Sequence, residues 1–429
     1  MIIKDVNRLS DYTFSKCDIL IPNCEDMQKW SVVACDQYTS EPEYWENVGS
    51  IVGQAPSSLR VTLPEIYLEQ DGVDERIEKI YSAMREYTES GLLATVADSM
   101  VYLERTLADG RIRRGIIGTV DLEKYDYSIG SQSRIRATEG TVLSRIPPRA
   151  RVRRGAVIEL PHIMLLVDDA EREVIEPLGE RKGEFEKLYD FDLMCGGGHV
   201  TGYRIAGAEA GRISSALEKF ASPEYFESKY GVSGKGPLQF AVGDGNHSLA
   251  TAKRCYEELK QTMTEEEWSV HPSRYALVEL VNLHDGALEF EAIHRVVFDV
   301  DPDRLIADLR KYYDVSDTEC GGQSFEYITM SQRARLYIKN PSSNLTVGTL
   351  QNFIDSYLEK NGGRVDYIHG VGVVESLASK PGNIGFILPD MSKSELFPTV
   401  ILDGALPRKT FSMGHACDKR FYLEARKIK

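Results

Sequence analysis

The stretch Phe240–Leu259, FAVGDGNHSLATAKRCYEEL, sets a carboxylate, an amide, an imidazole and a hydroxyl on a glycine turn where a helix begins. A helix start offers unpaired backbone N–H groups and the positive end of the helix dipole, and both favour an anion. Gly243 and Gly245 let the main chain take positive φ and approach a ligand closely. Asp244 could hold a metal or accept a proton, and His247 could donate to a phosphate or act as acid or base. Asn246 and Ser248 complete the polar set. The plainer alternative is that Asp244 or Asn246 caps the helix and His247 is an ordinary surface donor.

A second segment, RIRATEGTVLSRIPPRARVRR at 134–154, holds seven arginines, one glutamate and no lysine. Guanidinium forks suit phosphate or carboxylate recognition. Arg136, Thr138 and Thr141 could hold phosphate oxygens, with Glu139 as base or magnesium ligand. From Arg149 to Arg154 a solvated face of salt bridges is the favoured reading. A third segment, EAIHRVV at 291–297, places His294 and Arg295 between apolar runs. Taken alone it reads as a paired His–Arg at a strand end. No P-loop, G-x-S-x-G elbow or H-E-x-x-H occurs, and the glycine-rich MCGGGHVTG at 194–202 lacks a dinucleotide-binding setting, so it reads as a loop.

These groups need elements to position them. A chain of 429 residues is long enough for two or more domains. Its net charge of −15 suits neither nucleic acid nor anionic membranes. Seven scattered cysteines without a Cys-x-x-Cys pair read as reduced thiols of a cytoplasmic protein, and zinc spacing is absent. The N-terminal MIIKDVNRLSDYTF has no apolar h-region, and no run is long enough to span a membrane.

A helix is expected over 74–90, with Asp74 as N-cap, and a hairpin about Ala108-Asp109-Gly110. GAVIELPHIMLLVDD reads as two short strands or one interrupted at Pro161. Residues 213–230 read as one helix broken before Pro223, or two. PLQFAVGDG is a strand, followed by a helix from Leu249 to Thr262. Leu305, Ile306 and Leu309, then Leu350, Phe353, Ile354, Tyr357 and Leu358, mark two amphipathic helices. Strands and helices mix without a regular βαβ rhythm, so the class is α+β. The expected domains are 1–300, a mixed-sheet main domain with the anion site, and 301–429, a smaller α/β domain.

In this order the segments resemble an uncharacterised group, domain-of-unknown-function family 1015. IRATEGTV is similar to the family's Arg-Pro-His-Glu-x-Thr stretch, and VGDGNHSLATA to its Asp-Gly-His-His-Arg-x-x-x-Ala stretch. YALVELVNLHDGALEFEAIHRVV resembles the segment ending Pro-x-His-Arg, and GALPRKTFSMG at 404–414 the closing Met-Pro-x-Lys-Ser-Thr element. VVACDQYTSEPEYW at 32–45 sits where the family carries a proline-tyrosine-aspartate turn. The Asp-Gly-His-His-Arg element in turn resembles the phosphate-binding turn of the ParB and sulfiredoxin superfamily, which includes free-serine kinases. Two departures matter. Asn246-His247-Ser248 replaces His-His-Arg, and Ala137-Thr138-Glu139 replaces Pro-His-Glu.

The resemblance implies phosphate or nucleotide handling. The expectation is a magnesium- and nucleotide-dependent kinase or phosphotransferase, using ATP or ADP, for a small serine-like substrate. His247, Asp244 and Glu139 would be catalytic, with Glu139 and Asp244 as metal ligands. Gly243, Gly245, Asn246, Ser248, Arg136, Thr138, Thr141, His294, Arg295, Arg408 and Lys409 would bind the cofactor. Asp36 and Tyr38 would face the substrate. The missing imidazole and arginine motivate an alternative, a nucleotide or metabolite sensor without catalysis. Neither nucleic acid nor membrane is an expected partner.

Overall fold

The computed structural model describes residues 12–429. The reading of the first residues as free of an apolar leader falls mostly on 1–11 and lies outside the described residues. The chain forms two compact units. One runs to Leu288 and resumes at His415–Lys429, and the other is Glu289–Gly414. A single cut near 300 misses this division, because the strand at 290–298 pairs wholly within the second unit while the last fifteen residues return to the first.

The first unit is built on an eleven-stranded mixed sheet. Its strands are β1 (Phe14–Ser15), β2 (Cys17–Pro22), β3 (Leu93–Thr106), β4 (Ile112–Asp121), β5 (Tyr125–Asp126) and β6 (Ile135–Ala137), with β7 (Ile158–Glu159) outside it. Then come β8 (Met164–Val167), β9 (Glu186–Asp192), β10 (His199–Ala206), β11 (Phe240–Asp244) and β12 (Tyr275–Asn282). The order is β5-β6-β11-β8-β12-β4-β3-β10-β9, with β1 on β4 and β2 on β3. Most pairs are antiparallel, while β6–β11, β8–β12 and β5–β6 are parallel. The class is α+β, as expected.

Every residue of β8 and β12 is buried, as in central strands covered on both faces; β8 is apolar throughout, while β12 also buries Glu279 and Asn282. Alternation splits the flanking strands between two cores. Tyr102, Ile116 and Val278 join the helices 207–218 and 246–260 on one face. Val101, Leu103, Ile117 and Leu277 meet Trp45, Phe421, Tyr422 and Leu423 on the other. The carboxy-terminal tail is therefore core. Trp30 Nε1 donates to the Leu423 carbonyl (3.0 Å), and β20 (Arg426–Lys427) pairs with β7.

The expected hairpin forms between β3 and β4, with Thr106 opposite Ile112. Pro161 does separate two short strands, and Pro223 opens a separate helix, Pro223–Tyr230, capped by Ser222. The helix Val73–Glu89 starts from Gly72 at φ 78°, so Asp74 is not its cap; it pairs with Arg151 instead. The arginine-rich helix Ile146–Gly155 is a salt-bridged face, with Arg149 on Glu65 (2.5 Å), Arg153 on Glu159 (2.5 Å) and Arg154 on Glu258 (3.1 Å).

The second unit has a seven-stranded sheet made of β13 (Phe290–Phe298), β14 (Val315–Ser316), β15 (Gln323–Ile328), β16 (Arg333–Ile338), β17 (Arg364–His369), β18 (Ile384–Ile387) and β19 (Phe411–Met413). The two amphipathic helices are Pro302–Tyr312 and Thr346–Asn361; the first buries its expected stripe and the second all of its own but the half-buried Leu358. Among the described residues no helix is long and apolar enough to cross a membrane.

The tail's role in the core is testable at Arg426, which is buried and donates through Nε and Nη2 to Glu159 Oε1 (3.0 and 2.8 Å). Arg426→Met weakens the compensation of a buried carboxylate. Urea unfolding should show stability lower by about 3 kcal/mol, with the slope unchanged.

Candidate functional site

Strand β11 ends at Asp244, where its register against β8 shifts. Gly245 then turns to φ 79° and ψ 27° and opens the helix Asn246–Lys260, three residues earlier than expected. A Cβ at Gly245 would lie 3.0 Å from Ile163 Cα, so the turn needs glycine for both conformation and space. Gly243 itself lies within β11. No side chain caps the helix. Asp244 Oδ1 accepts the Gly245 N–H (3.0 Å), and its Oδ2 faces Lys419 Nζ at 3.2 Å. Asn246 turns back on Thr138, accepting its N–H (3.2 Å) and donating to its Oγ1 (3.4 Å). His247 Nε2 accepts the N–H of Val142 (3.3 Å). The polar residues of the turn therefore tie it to 138–142 and to the tail, leaving the first N–H groups of the helix without a side-chain cap.

His162, in the link between β7 and β8, was not anticipated as a site residue. It is buried. Its Nε2 lies 2.9 Å from Ser248 Oγ and 3.6 Å from Asp36 Oδ2, and its Nδ1 is 2.8 Å from the Tyr422 hydroxyl. The Tyr422 oxygen also accepts the Cys35 N–H (3.2 Å), so its own proton points to Nδ1. Burial pushes the Tyr422 phenol far up, which keeps that proton in place. His162 thus bridges the phenol at one ring nitrogen and Ser248 and Asp36 at the other.

Burial acts to raise the Asp36 carboxyl, but His162, then Gln37, then Lys419 outweigh it and hold the group below its usual range. Gln37 Nε2 donates to Asp36 Oδ1 at 2.9 Å. The structure so brings Asp36, His162, Ser248, Asp244 and Lys419 into one polar group. The imidazole in the apolar stretch PHIMLLV was the one local signal for it. Lys419 and Tyr422 carried none, since their partners lie far along the sequence.

Other expected residues have different work. Arg136, only 2% exposed, gives Nε to the Ser133 carbonyl (2.8 Å) and Nη2 to that of Gly236. Burial lowers its pKa to about 10. Two of its nitrogens serve the main chain, while Nη1 is buried without a hydrogen-bond partner. Thr138 Oγ1 donates to the Val242 carbonyl (2.6 Å), joining β6 to β11. Thr141 Oγ1 is buried without a hydrogen-bond partner, and Glu139 is half-buried beside it. Tyr38, at φ 52°, stacks on Tyr44 with ring centroids 3.6 Å apart.

The second unit holds a separate group. Arg295 is fully buried. It donates to Gln351 Oε1 (3.1 Å) and to the carbonyls of Lys409 (2.9 Å), Arg408 (2.8 Å) and Ile293. These bonds hold the chain that exposes Arg408 and Lys409. His294 Nδ1 accepts the Leu388 N–H (3.2 Å). Burial lowers its pKa, and Asp390 opposes that only in part.

Among the described residues no group of three or more His, Cys, Asp or Glu could hold a metal ion. Asp244, expected as a ligand together with Glu139, has a lysine on one oxygen. The side chains present do not fit a resident magnesium ion.

Two outcomes follow. Gly245→Ala forces an L-residue into positive φ against Ile163, so the thermal midpoint should fall by the equivalent of about 1–3 kcal/mol. For His294, the unfolded state takes up a proton as pH drops through about 6.5 while the folded state does so only lower. Stability present above that pH is lost as it falls towards the lowered folded value. His294→Gln should flatten this part of a urea-midpoint profile.

Solved structures similar to the chain include a conserved hypothetical protein from Pyrococcus furiosus, 11% identical over 72% of this chain and 94% of that one, with a TM-score of 0.35. A free serine kinase variant in complex with ADP is 10% identical over 74% and 93%, with a TM-score of 0.38. SbnI from Staphylococcus aureus, truncated at its C-terminus, is 9% identical over 70% and 82%, with a TM-score of 0.36. Likeness at this level says nothing of what the present chain binds. No curated protein matches it. The model of a family described as a protein of unknown function, DUF1015, matches residues 20–357, and the chain belongs to that family.

Proposed function

We propose that the protein binds the phosphates of a nucleotide, ATP or ADP, and transfers a phosphoryl group to a small hydroxyl-bearing acceptor of the serine kind. One observation carries the reading: the uncapped start of the helix Asn246–Lys260 opens beside the Asp36–His162–Ser248 chain and Lys419. Phosphoryl transfer asks a protein mainly for positioning and charge neutralisation. Backbone N–H groups at 246–248, with Lys419, would take the phosphate oxygens. His247 and Ser248 border the same turn. Asp36, held ionised by its neighbours, would accept the acceptor hydroxyl's proton. The acceptor oxygen bonds to phosphorus, and the bond from phosphorus to the nucleotide's leaving oxygen breaks. Magnesium supplies charge neutralisation on the phosphates when it arrives with the nucleotide; no residue step here depends on it.

A second reading, a sensor that binds without turnover, is favoured by one observation. Arg136 gives two of its nitrogens to main-chain carbonyls, which leaves fewer donors for a migrating phosphoryl group.

Product assays with serine and each of ATP, ADP and pyrophosphate test the proposal. Asp36→Asn should lower turnover by about 100-fold or more while nucleotide affinity stays close to that of the parent. Binding without turnover under every donor selects the sensor. Under transfer, His247→Ala should lower both rate and affinity; under sensing it lowers affinity alone. Absence of both binding and turnover rejects both readings.

A further inference from the structure

Behind the proposed site the sheet carries a buried ionic cluster. Arg105 on β3, Arg113 on β4 and Glu279 on β12 are 3%, 4% and 0% exposed. Arg420 and Glu424 of the tail complete it, equally buried. Arg420 Nη1 donates to Glu279 Oε2 (2.7 Å) and its Nη2 to Glu424, while Arg113 Nε lies 3.4 Å from Glu279 Oε1. Three guanidinium groups thus face two carboxylates. Burial of an uncompensated charge is expensive, and an apolar core of the same volume is often as stable or more so. Burial, with Arg113 adding to it, drives the Arg105 pKa down to about 9. Stability alone does not account for the third arginine.

The hydrogen bonds of these arginines account for it. Arg105 Nη2 donates to the Cys417 carbonyl (3.0 Å) and to that of Gly197. Arg113 Nη1 donates to the Asp418 carbonyl (2.9 Å). Arg420 Nε donates to the Pro161 carbonyl (3.0 Å). The first two clamp the residues immediately before Lys419, and the last clamps the residue immediately before His162. A lysine side chain has large rotamer freedom, so a fixed backbone origin limits where its ammonium can reach.

We propose that Arg105 and Arg113 are positioning residues that aim Lys419 at Asp244 and Asp36, and that Arg420, tied to Glu279, fixes His162 in the same way. What Lys419 does there rests on the phosphate-binding reading; where it is held does not. The site therefore depends on a tail that lies beyond the stretch matched by the family.

The test is the labelling rate of Lys419 in the full chain by reductive methylation, read by mass spectrometry with Lys253 as internal reference. Arg105→Met removes donors that serve main-chain carbonyls. It should raise Lys419 labelling about fivefold, what one lost hydrogen bond is worth, while Lys253 labelling stays at the parent level. Arg105→Lys, which keeps a charged donor, should bring labelling back towards the parent. Arg105→Gln serves as the second neutral variant if the methionine variant does not fold. Unchanged Lys419 labelling in a folded neutral variant overturns the proposal. So does labelling that rises equally at Lys253, because that marks general loosening. This measurement needs no ligand, so a parent chain that binds no nucleotide would end the phosphotransfer reading without touching the clamp. In a chain that does bind, pyrophosphate affinity should fall about fivefold in Arg105→Met, and the double variant should bind no more weakly than Lys419→Met alone; an additive loss counts against action through Lys419.

Discussion

A carboxylate with no exposed surface, Glu279, sits in the middle of the most buried strand of the main sheet, and the rest of the first unit is arranged around compensating it. Leaving it unpaired would cost several kcal/mol. Its partners come from β4 and from the tail, so compensation requires residues 415–429 to return across the sheet. That return brings Phe421 and Leu423 into the second core and Tyr422 against His162. It also brings Lys419 to the turn at Asp244. One buried charge therefore links the stability of the sheet to the assembly of the polar site.

The site combines two kinds of positive potential. The start of the helix Asn246–Lys260 supplies oriented N–H groups that need no side-chain entropy to hold them. Lys419 supplies a full charge on a flexible stem, restrained at its root. Between them, the imidazole of His162 joins a hydroxyl to a carboxylate and is itself fixed by a buried tyrosine. Gly245 allows the close approach of this turn to Ile163, and no other residue type meets both its conformation and its space.

Much of this was legible along the chain. The apolar run of β8, the β3–β4 hairpin, the glycine turn and the two amphipathic helices of the second unit all follow from local pattern. The salt-bridged character of Arg149 to Arg154 was legible from alternation alone. Other features were not legible. A guanidinium is expected to meet solvent or ligand, yet Arg136 and Arg295 are buried and donate to main-chain carbonyls, which only tertiary packing decides. Asp74 looked like a cap but pairs with Arg151, because the cap is Gly72, two residues before the expected one. His162 and Lys419 reach the glycine turn only through a sheet whose strand order departs widely from sequence order, and no periodicity encodes that.

The central claim is that the turn at Gly245 and Lys419 together bind phosphate. Calorimetric titration of the full chain with pyrophosphate, for the parent and for Lys419→Met, measures this most directly. The account predicts saturable one-to-one binding that weakens by about tenfold in the variant, the order expected for one charge-assisted contact. No binding by the parent, or equal affinity in the two proteins, would contradict it.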